Sequence, residues 1–149
     1  MPEINKEHRN EYALITGGTS GIGYELAKLF AQNGYSLILV ARNEDRLQEV
    51  TDEFKMLGVE VTPCAIDLFE DDAAFKVFDF VEKMGVHVDV LVNDAGQGQR
   101  GKFDEVPLRR HLDIIHLNVV SLVALTSLFL DDMKKRGKGK ILNLASVVS

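Results

Sequence analysis

The 149-residue sequence contains a single cysteine, Cys64, so no disulfide can form within the chain. Cys64 lies in an apolar segment and is expected to be a small core residue, as unpaired cysteines in a reducing compartment commonly are. The first ten residues are charged and lack the apolar core of a secretory signal peptide. Together these absences favour a cytoplasmic location.

Positive charge is also scarce. The chain has 17 lysines and arginines against 23 aspartates and glutamates, which gives a net charge of −6. This balance argues against nucleic acid or an anionic membrane as the main partner. The one basic run, residues 134–140, is expected to end a helix, because cations there offset the helix dipole and the glycines stop the helix.

Long apolar runs are absent. The richest one, residues 117–130, is shorter than the about 20 residues that cross a bilayer, and it contains polar side chains such as Asn118. We therefore expect a buried helix there and no membrane partner. The 46% hydrophobic content is ordinary for a globular protein, and residues 1–149 are predicted to form one domain.

Short runs rich in valine, isoleucine and leucine alternate with segments in which apolar residues recur every three or four positions. The first kind predicts strands at residues 12–15, 36–40, 60–65, 88–92 and 140–145, and the second predicts helices at 22–32, 44–57, 71–84 and 108–136. Strands with little polar alternation are typical of a parallel sheet covered on both faces. The pattern predicts an α/β fold with a doubly wound parallel sheet.

A glycine-rich turn joins the first predicted strand to the first predicted helix, where residues 16–23 read T-G-G-T-S-G-I-G. Glycine lets a phosphate approach the backbone, and the helix directs N–H groups and its positive dipole end toward that phosphate. This context favours dinucleotide binding, although glycines kept only for packing are the structural alternative. The cofactor contacts assigned in the turn are Gly17, Thr19, Ser20, Gly21, Ile22 and Gly23.

The second predicted strand ends in Val40-Ala41-Arg42. A chain that selects NAD normally has an acidic residue at this point to bind the ribose 2′-hydroxyl. Ala41 cannot do so, whereas the guanidinium of Arg42 can bind a 2′-phosphate through two hydrogen bonds. The sequence therefore favours NADP over NAD. The alternative is that Arg42 is solvated or pairs with Glu44 or Asp45.

Several motifs, taken in order, resemble those of the short-chain dehydrogenase/reductase family. Residues 16–23 match its T-G-x-x-x-G-x-G turn, residues 93–96 (N-D-A-G) resemble its N-N-A-G, and residues 140–146 resemble its fifth strand, which ends in a serine. The resemblance covers nearly the whole chain and implies a Rossmann fold. It also implies an NADP(H)-dependent oxidoreductase that moves hydride between the nicotinamide and the carbonyl or alcohol carbon of a small molecule.

The resemblance implies two catalytic residues. Ser146 corresponds to the serine that hydrogen-bonds the substrate oxygen, and Asn118 corresponds to an asparagine that holds water in a proton relay. A polar side chain in an apolar helix needs a hydrogen-bond partner, so the structural alternative for Asn118 is a bond to a neighbouring backbone group.

Further cofactor contacts follow from the same resemblance. Asp67 corresponds to an aspartate beside the adenine ring, and with Glu70 it also fits a capping box for the helix predicted from residue 71. Asp94 departs from the family's second asparagine and brings negative charge toward an anionic cofactor. The contacts assigned outside the turn are Arg42, Asp67, Leu68, Asn93, Ala95 and Gly96.

The Y-x-x-x-K motif that follows the serine in this family does not follow Ser146 here. In the family, the tyrosine exchanges a proton with the substrate, and the lysine lowers the pKa of that tyrosine. We expect these 149 residues to be the cofactor-binding portion of such an enzyme, ending after the fifth strand and weakly active alone. A non-catalytic NADP-binding or regulatory module is a second hypothesis. A methyltransferase using S-adenosylmethionine is a third, and Arg42 argues against it.

Oligomer formation is also expected. In the resembling family, the helix at residues 117–130 packs on a partner subunit, and the last predicted strand would leave an open sheet edge. A homo-oligomer follows from both features. No metal site is predicted, because His111 and His116 are five positions apart and do not share one helix face.

Overall fold

Five parallel strands form the sheet that the alternating pattern predicts. The computed structural model describes residues 6–145. Its strands are β1 (Tyr12–Thr16), β2 (Ser36–Ala41), β3 (Val61–Ala65), β4 (Val88–Asn93) and β5 (Lys140–Asn143). Its helices are α1 (Gly21–Gln32), α2 (Glu44–Lys55), α3 (Ala73–Met84), α4 (Leu108–Ile115) and α5 (Ser121–Arg136). The strands lie in the order β3-β2-β1-β4-β5, and every neighbouring pair is parallel.

Strand β1 shows how the sheet is covered. Successive side chains of a strand point to opposite faces, and in β1 Ala13 and Ile15 pack in one buried cluster with residues of α1 and α2. Leu14 packs in a second cluster with residues of α3 and α5. Helices therefore cover both faces of the sheet, which confirms the doubly wound α/β prediction.

The strand order reverses beside β1. The chain runs from β1 outward to β2 and β3, and it then returns to place β4 on the other side of β1. In sheets of this kind, ligands bind outside the carboxyl ends of the strands at such a reversal. The expected ligand site is therefore the region that follows Thr16 in β1 and Asn93 in β4.

Residue types explain several local features, of which the helix end at the basic run and the burial of Cys64 confirm predictions from the sequence. Asn43 caps α2, because its side-chain oxygen accepts a hydrogen bond from the N–H of Arg46 at 2.9 Å. Helix α5 ends within the basic run at Arg136, and Gly137 follows the helix with a φ of 67°. Cys64 is a buried core residue, and burial raises the pKa of its thiol to about 12.

The capping box predicted at Asp67 and Glu70 is wrong. Helix α3 begins at Ala73 and has no side-chain cap. The Asp67 carboxylate instead accepts a hydrogen bond from the N–H of Phe69 at 3.0 Å, which closes a tight turn after β3. The fifth strand is also shorter than predicted, since it ends at Asn143.

The helix predicted at residues 108–136 is interrupted and only partly buried. A π-helical segment, His116–Val120, separates α4 from α5. The buried stripe comprises Leu117, Ser121, Leu125, Phe129 and Met133. The opposite side, which we call the apolar α4–α5 face, exposes Leu112, Ile115, Val119 and Val123. The prediction of a buried helix is therefore wrong for this side, because a single sheet covers only one stripe of the helix.

The same stretch corrects the prediction that no segment could cross a membrane. By length and composition alone, the 29 residues Leu108–Arg136 are long and apolar enough, with a mean hydropathy of 1.8 over their most apolar 18 residues. Of these 18 residues, 22% are buried. Core helices of soluble proteins have the same composition, and the buried stripe of this helix belongs to the core cluster on the sheet.

Helix α3 separates a buried side from an exposed side. Its buried residues include Ala73, Val77 and Val81, and Val77 is 0% exposed. Phe75 lies on the other side and is 58% exposed. The larger side chain of the two therefore contributes less buried area, which makes the helix a direct test of the packing.

We expect Val77→Ala to lower the free energy of unfolding by about 2 kcal/mol, because it removes buried apolar groups and leaves a cavity. Phe75→Ala removes more atoms but should cost less than about 1 kcal/mol, since those atoms are largely in water. Urea unfolding followed by circular dichroism measures both changes. A greater loss for Phe75→Ala than for Val77→Ala would contradict the described packing.

Candidate cofactor-binding site

A cleft of about 220 Å³ lies at the carboxyl ends of the central strands, where the strand order reverses. Its walls come from residues at or just after the carboxyl ends of β1, β2, β3 and β4, which are distant in the sequence, and from Leu117 of the π-helical segment. The predicted cofactor residues that line it are Gly17, Thr19, Ser20, Arg42, Asp67, Leu68, Ala95 and Gly96. The fold thus brings most of the predicted contacts into one site.

The remaining predicted residues do not line this cleft. Gly21 and Ile22 begin α1 and are exposed, and they border a shallow neighbouring depression. Gly23 and Asn93 are buried. Ser146 lies outside the described residues, so its predicted role stays a prediction.

Residues 17–20, which we call the phosphate turn, connect β1 to α1. Gly17 has a φ of +70°, and its N–H donates to the carbonyl oxygen of Val40 at 3.0 Å, so the turn is tied to β2. Ser20 makes no side-chain cap on α1. The N–H of Gly23, in the first helical turn, donates to the carboxylate of Asp94. At the other N–H groups of this turn, an anion is the partner that the helix dipole favours.

Gly23 is required for packing. A Cβ at this position would overlap the carbonyl oxygen of Gly17 and the carboxylate of Asp94. Gly21 differs, because it has a φ of +55° and nothing lies within 4 Å of the position of a Cβ. The structural alternative to phosphate binding thus applies to Gly23, whereas Gly21 lies on the open side of the turn.

Thr16 holds two walls of the cleft together, a role that the sequence reasoning missed. Its buried hydroxyl accepts hydrogen bonds from the N–H groups of Asp94, at 3.1 Å, and Ala95, at 3.0 Å. The same hydroxyl donates to the carbonyl oxygen of Val92 at 3.4 Å. One side chain at the end of β1 therefore fixes the segment that follows β4. A threonine ending a strand is common, so the sequence offers no distinctive signal for this role.

Arg42 reaches the cleft as an exposed side chain at the end of β2. Its guanidinium carbon lies 5.6 Å from the ring centroid of Phe69, within the range of a cation–π contact. Among the ion pairs of residues 6–145, none joins Arg42 to Glu44 or Asp45. The guanidinium is thus held beside the cleft by an aromatic ring rather than by an acid. Phe69 is a second residue that the sequence reasoning missed.

The family model described as short chain dehydrogenase matches residues 11–149. The chain belongs to the short-chain dehydrogenase family. This finding confirms the resemblance noted in the motifs.

Relatives and solved structures agree with that assignment. A short chain dehydrogenase from Pseudocercospora fijiensis is 40% identical over 141 residues, which cover 92% of this chain and 45% of that protein. The very-long-chain 3-oxoacyl-CoA reductase of Rattus norvegicus is 36% identical over 144 residues, covering 91% of this chain and 45% of the reductase. The crystal structure of L-sorbose reductase from Gluconobacter frateurii, complexed with NADPH and L-sorbose, is similar with a TM-score of 0.88 and 32% identity, over 96% of this chain and 55% of that one. The chain spans about half the length of the curated relatives it matches.

In this member of the family, the side chain of Asn118 is bound to backbone groups. Its amide oxygen accepts from the N–H of Gln97 at 2.9 Å, and its amide nitrogen donates to the carbonyl oxygen of Gln97 at 2.8 Å. The guanidinium of Arg110 donates to the Gln97 side chain at 2.8 Å. The structural alternative for Asn118 is thus observed, and the contact fixes the rim of the cleft at Gln97. The periodic spacing of apolar residues did not predict the π-helical segment that carries Asn118.

Asp94 brings a carboxylate against the base of the phosphate turn. Burial raises the pKa of this carboxyl group above its usual value of 3.8, and a hydrogen bond from the backbone of Gly23 partly opposes that rise. Since the folded state holds the proton more firmly than the unfolded state, this group stabilises the fold at low pH. That contribution is lost as the pH rises through the folded pKa.

Asp94→Asn should therefore raise the free energy of unfolding at about pH 7, where the carboxylate is charged, and change it less at about pH 4. The amide can still accept the hydrogen bond from Gly23. Urea unfolding at the two pH values measures the difference, with Asp79→Asn as a control at an exposed carboxylate on α3. Equal stability of Asp94→Asn and the parent chain at both pH values would contradict this description of the site.

Proposed function

We propose that the chain is the cofactor-binding portion of an NADP(H)-dependent oxidoreductase. The observation that carries the proposal is Arg42, whose exposed guanidinium lines the cleft at the end of β2, where the preceding residue is Ala41 rather than an acid. An acidic residue at this position would favour the 2′-hydroxyl of NAD and repel a 2′-phosphate. A guanidinium instead matches the geometry and charge of that phosphate.

The other walls of the cleft fit a dinucleotide. Backbone N–H groups of the phosphate turn and of the start of α1 would bind the pyrophosphate, since no neighbouring atom crowds Gly21 on that side. Asp67 and Leu68 would lie beside the adenine, and Ala95 and Gly96 would leave room for the nicotinamide ribose. The bound cofactor would supply the hydride, and this chain's residues would hold it in place.

The proposed reaction moves hydride between the nicotinamide and a carbon that carries a carbonyl or alcohol group. The proposal is supported by the kinds of relatives found, which include a 3-oxoacyl-CoA reductase and an L-sorbose reductase in complex with NADPH. Ser146 would hydrogen-bond the substrate oxygen. Asn118 would contribute by fixing the cleft rim at Gln97.

The titration that tests this proposal compares NADPH with NADH. NADPH should bind more tightly, and Arg42→Ala should weaken NADPH binding by about tenfold to 100-fold while leaving NADH binding unchanged, because only NADPH carries the 2′-phosphate. Isothermal calorimetry measures both dissociation constants. Lys83→Ala, which removes the same charge from the end of α3, is the matched control. Equal affinities for NADPH and NADH in the parent chain would contradict the assignment of an NADP(H) site.

We also propose that the chain forms a homo-oligomer through the apolar α4–α5 face. Leu112, Ile115, Val119 and Val123 are each more than half exposed, at 51%, 52%, 53% and 58%. They lie along one side of a helical stretch whose other side packs on the sheet. An apolar strip of this kind is typical of a protein interface, and a second copy offers the same strip in return.

Val123→Asp should therefore shift the chain from dimer toward monomer, because it places a charge in the centre of the apolar strip. Multi-angle light scattering over a range of concentrations measures the mass. Phe75→Asp, at a side chain that is also 58% exposed but lies on α3, is the matched control and should leave the mass unchanged. A parent chain that stays monomeric at high concentration would refute the proposed interface.

A further inference from the structure

We propose that Arg46 is a positioning residue for the cofactor site, which holds the phosphate turn in its binding conformation without touching the cofactor. The inference rests on the proposed function, because it assigns a role in dinucleotide binding to a residue outside the cleft. One contact joins Arg46 to the phosphate turn. The Nε of Arg46 donates a hydrogen bond to the carbonyl oxygen of Thr19 at 3.2 Å, which joins α2 to the phosphate turn.

The backbone of Arg46 is fixed at the start of α2. Its N–H donates to the side-chain oxygen of Asn43, the cap of the helix, at 2.9 Å. Its guanidinium is held a second time by Glu49, one turn further along, with 3.0 Å between Nη1 and Oε2. Both contacts lie at the start of α2, so they hold Arg46 at the end of the helix that faces the phosphate turn.

The guanidinium also contacts the first turn of α1. Its central carbon lies 6.0 Å from the ring centroid of Tyr24, and the hydroxyl of Tyr24 donates to Glu53 of α2. Arg46 therefore connects the phosphate turn with the two helices that flank it. Charge-assisted hydrogen bonds and cation–π contacts of this kind are stronger than neutral contacts at comparable exposure.

Arg42 and Arg46 differ in position although they are only four residues apart, because Arg42 follows β2 and Arg46 lies in the first turn of α2. Arg42 lines the cleft, whereas the residues that line it do not include Arg46. The Arg46 guanidinium is already engaged by a carboxylate, an aromatic ring and a backbone carbonyl. We therefore assign direct binding of the 2′-phosphate to Arg42. Arg46 instead acts on the phosphate turn through the carbonyl of Thr19.

The peptide that joins Thr19 to Ser20 explains how this contact reaches the cofactor. The described chain has no cis peptide bond, and in a trans peptide the carbonyl and the following N–H point in opposite directions. Fixing the carbonyl of Thr19 therefore also fixes the N–H of Ser20. Ser20 lines the cleft and directly precedes α1, so its N–H is one of the donors that a pyrophosphate would use.

Two outcomes of a cofactor titration separate positioning from direct contact. Arg46→Met should raise the dissociation constants of NADPH and NADH by the same factor, about threefold to tenfold, because both cofactors carry the pyrophosphate. Arg46→Lys should recover part of the loss. Arg42→Met should affect NADPH alone, and Lys55→Met, at the end of the same helix, should affect neither cofactor. Weaker binding of NADPH alone in Arg46→Met, or no change in either constant, would overturn the proposal.

A second measurement does not depend on cofactor binding. Nitrogen-15 relaxation of the cofactor-free chain should show an order parameter of about 0.85 for the Ser20 amide. This value should fall toward about 0.6 in Arg46→Met and stay unchanged in Arg42→Met. An unchanged Ser20 order parameter in Arg46→Met would refute the positioning role. If the parent chain bound neither cofactor, the proposed function would fail, while this measurement would still decide the role of Arg46.

Discussion

The cofactor cleft depends on the buried hydroxyl of Thr16. It accepts hydrogen bonds from the N–H groups of Asp94 and Ala95 and donates to Val92, so all of its hydrogen-bonding capacity is used within the protein. This one group joins the end of β1 to the chain leaving β4, across the point where the strand order reverses. The phosphate turn begins at the next residue, Gly17, and its position follows from that anchor.

Positive and negative charges lie on different sides of the cleft. Arg42 and the start of α1 supply positive potential on the open side, whereas Asp94 lies against the turn from the protein side. Burial raises the pKa of Asp94, which shows that its charge is costly where it stands. The second arginine, Arg46, has its charge offset by Glu49 and serves the backbone instead. We therefore propose that cofactor binding and positioning of the phosphate turn are divided between two arginines four residues apart.

Features set by local chemistry were predictable from the sequence. The doubly wound sheet followed from alternating apolar patterns, and the cap at Asn43 and the stop at Gly137 followed from residue type. The capping role expected of Asp67 was wrong, because its carboxylate can satisfy either a helix start or a tight turn and only the local backbone decides. The contacts of Thr16 with Asp94, 78 residues away, depend on tertiary packing, which periodicity does not encode. The π-helical segment His116–Val120 escaped prediction for the same reason.

If the segments that follow β1, β2, β3 and β4 form one NADP(H) site, NADPH should perturb all four at once, and NMR mapping of backbone amide shifts during a titration with NADPH tests this directly. The largest shifts should fall in residues 17–21, 42–43, 67–69 and 95–97 together, with one common saturation curve. Shifts confined to the apolar α4–α5 face, or the absence of any saturable shift in the cleft, would contradict it.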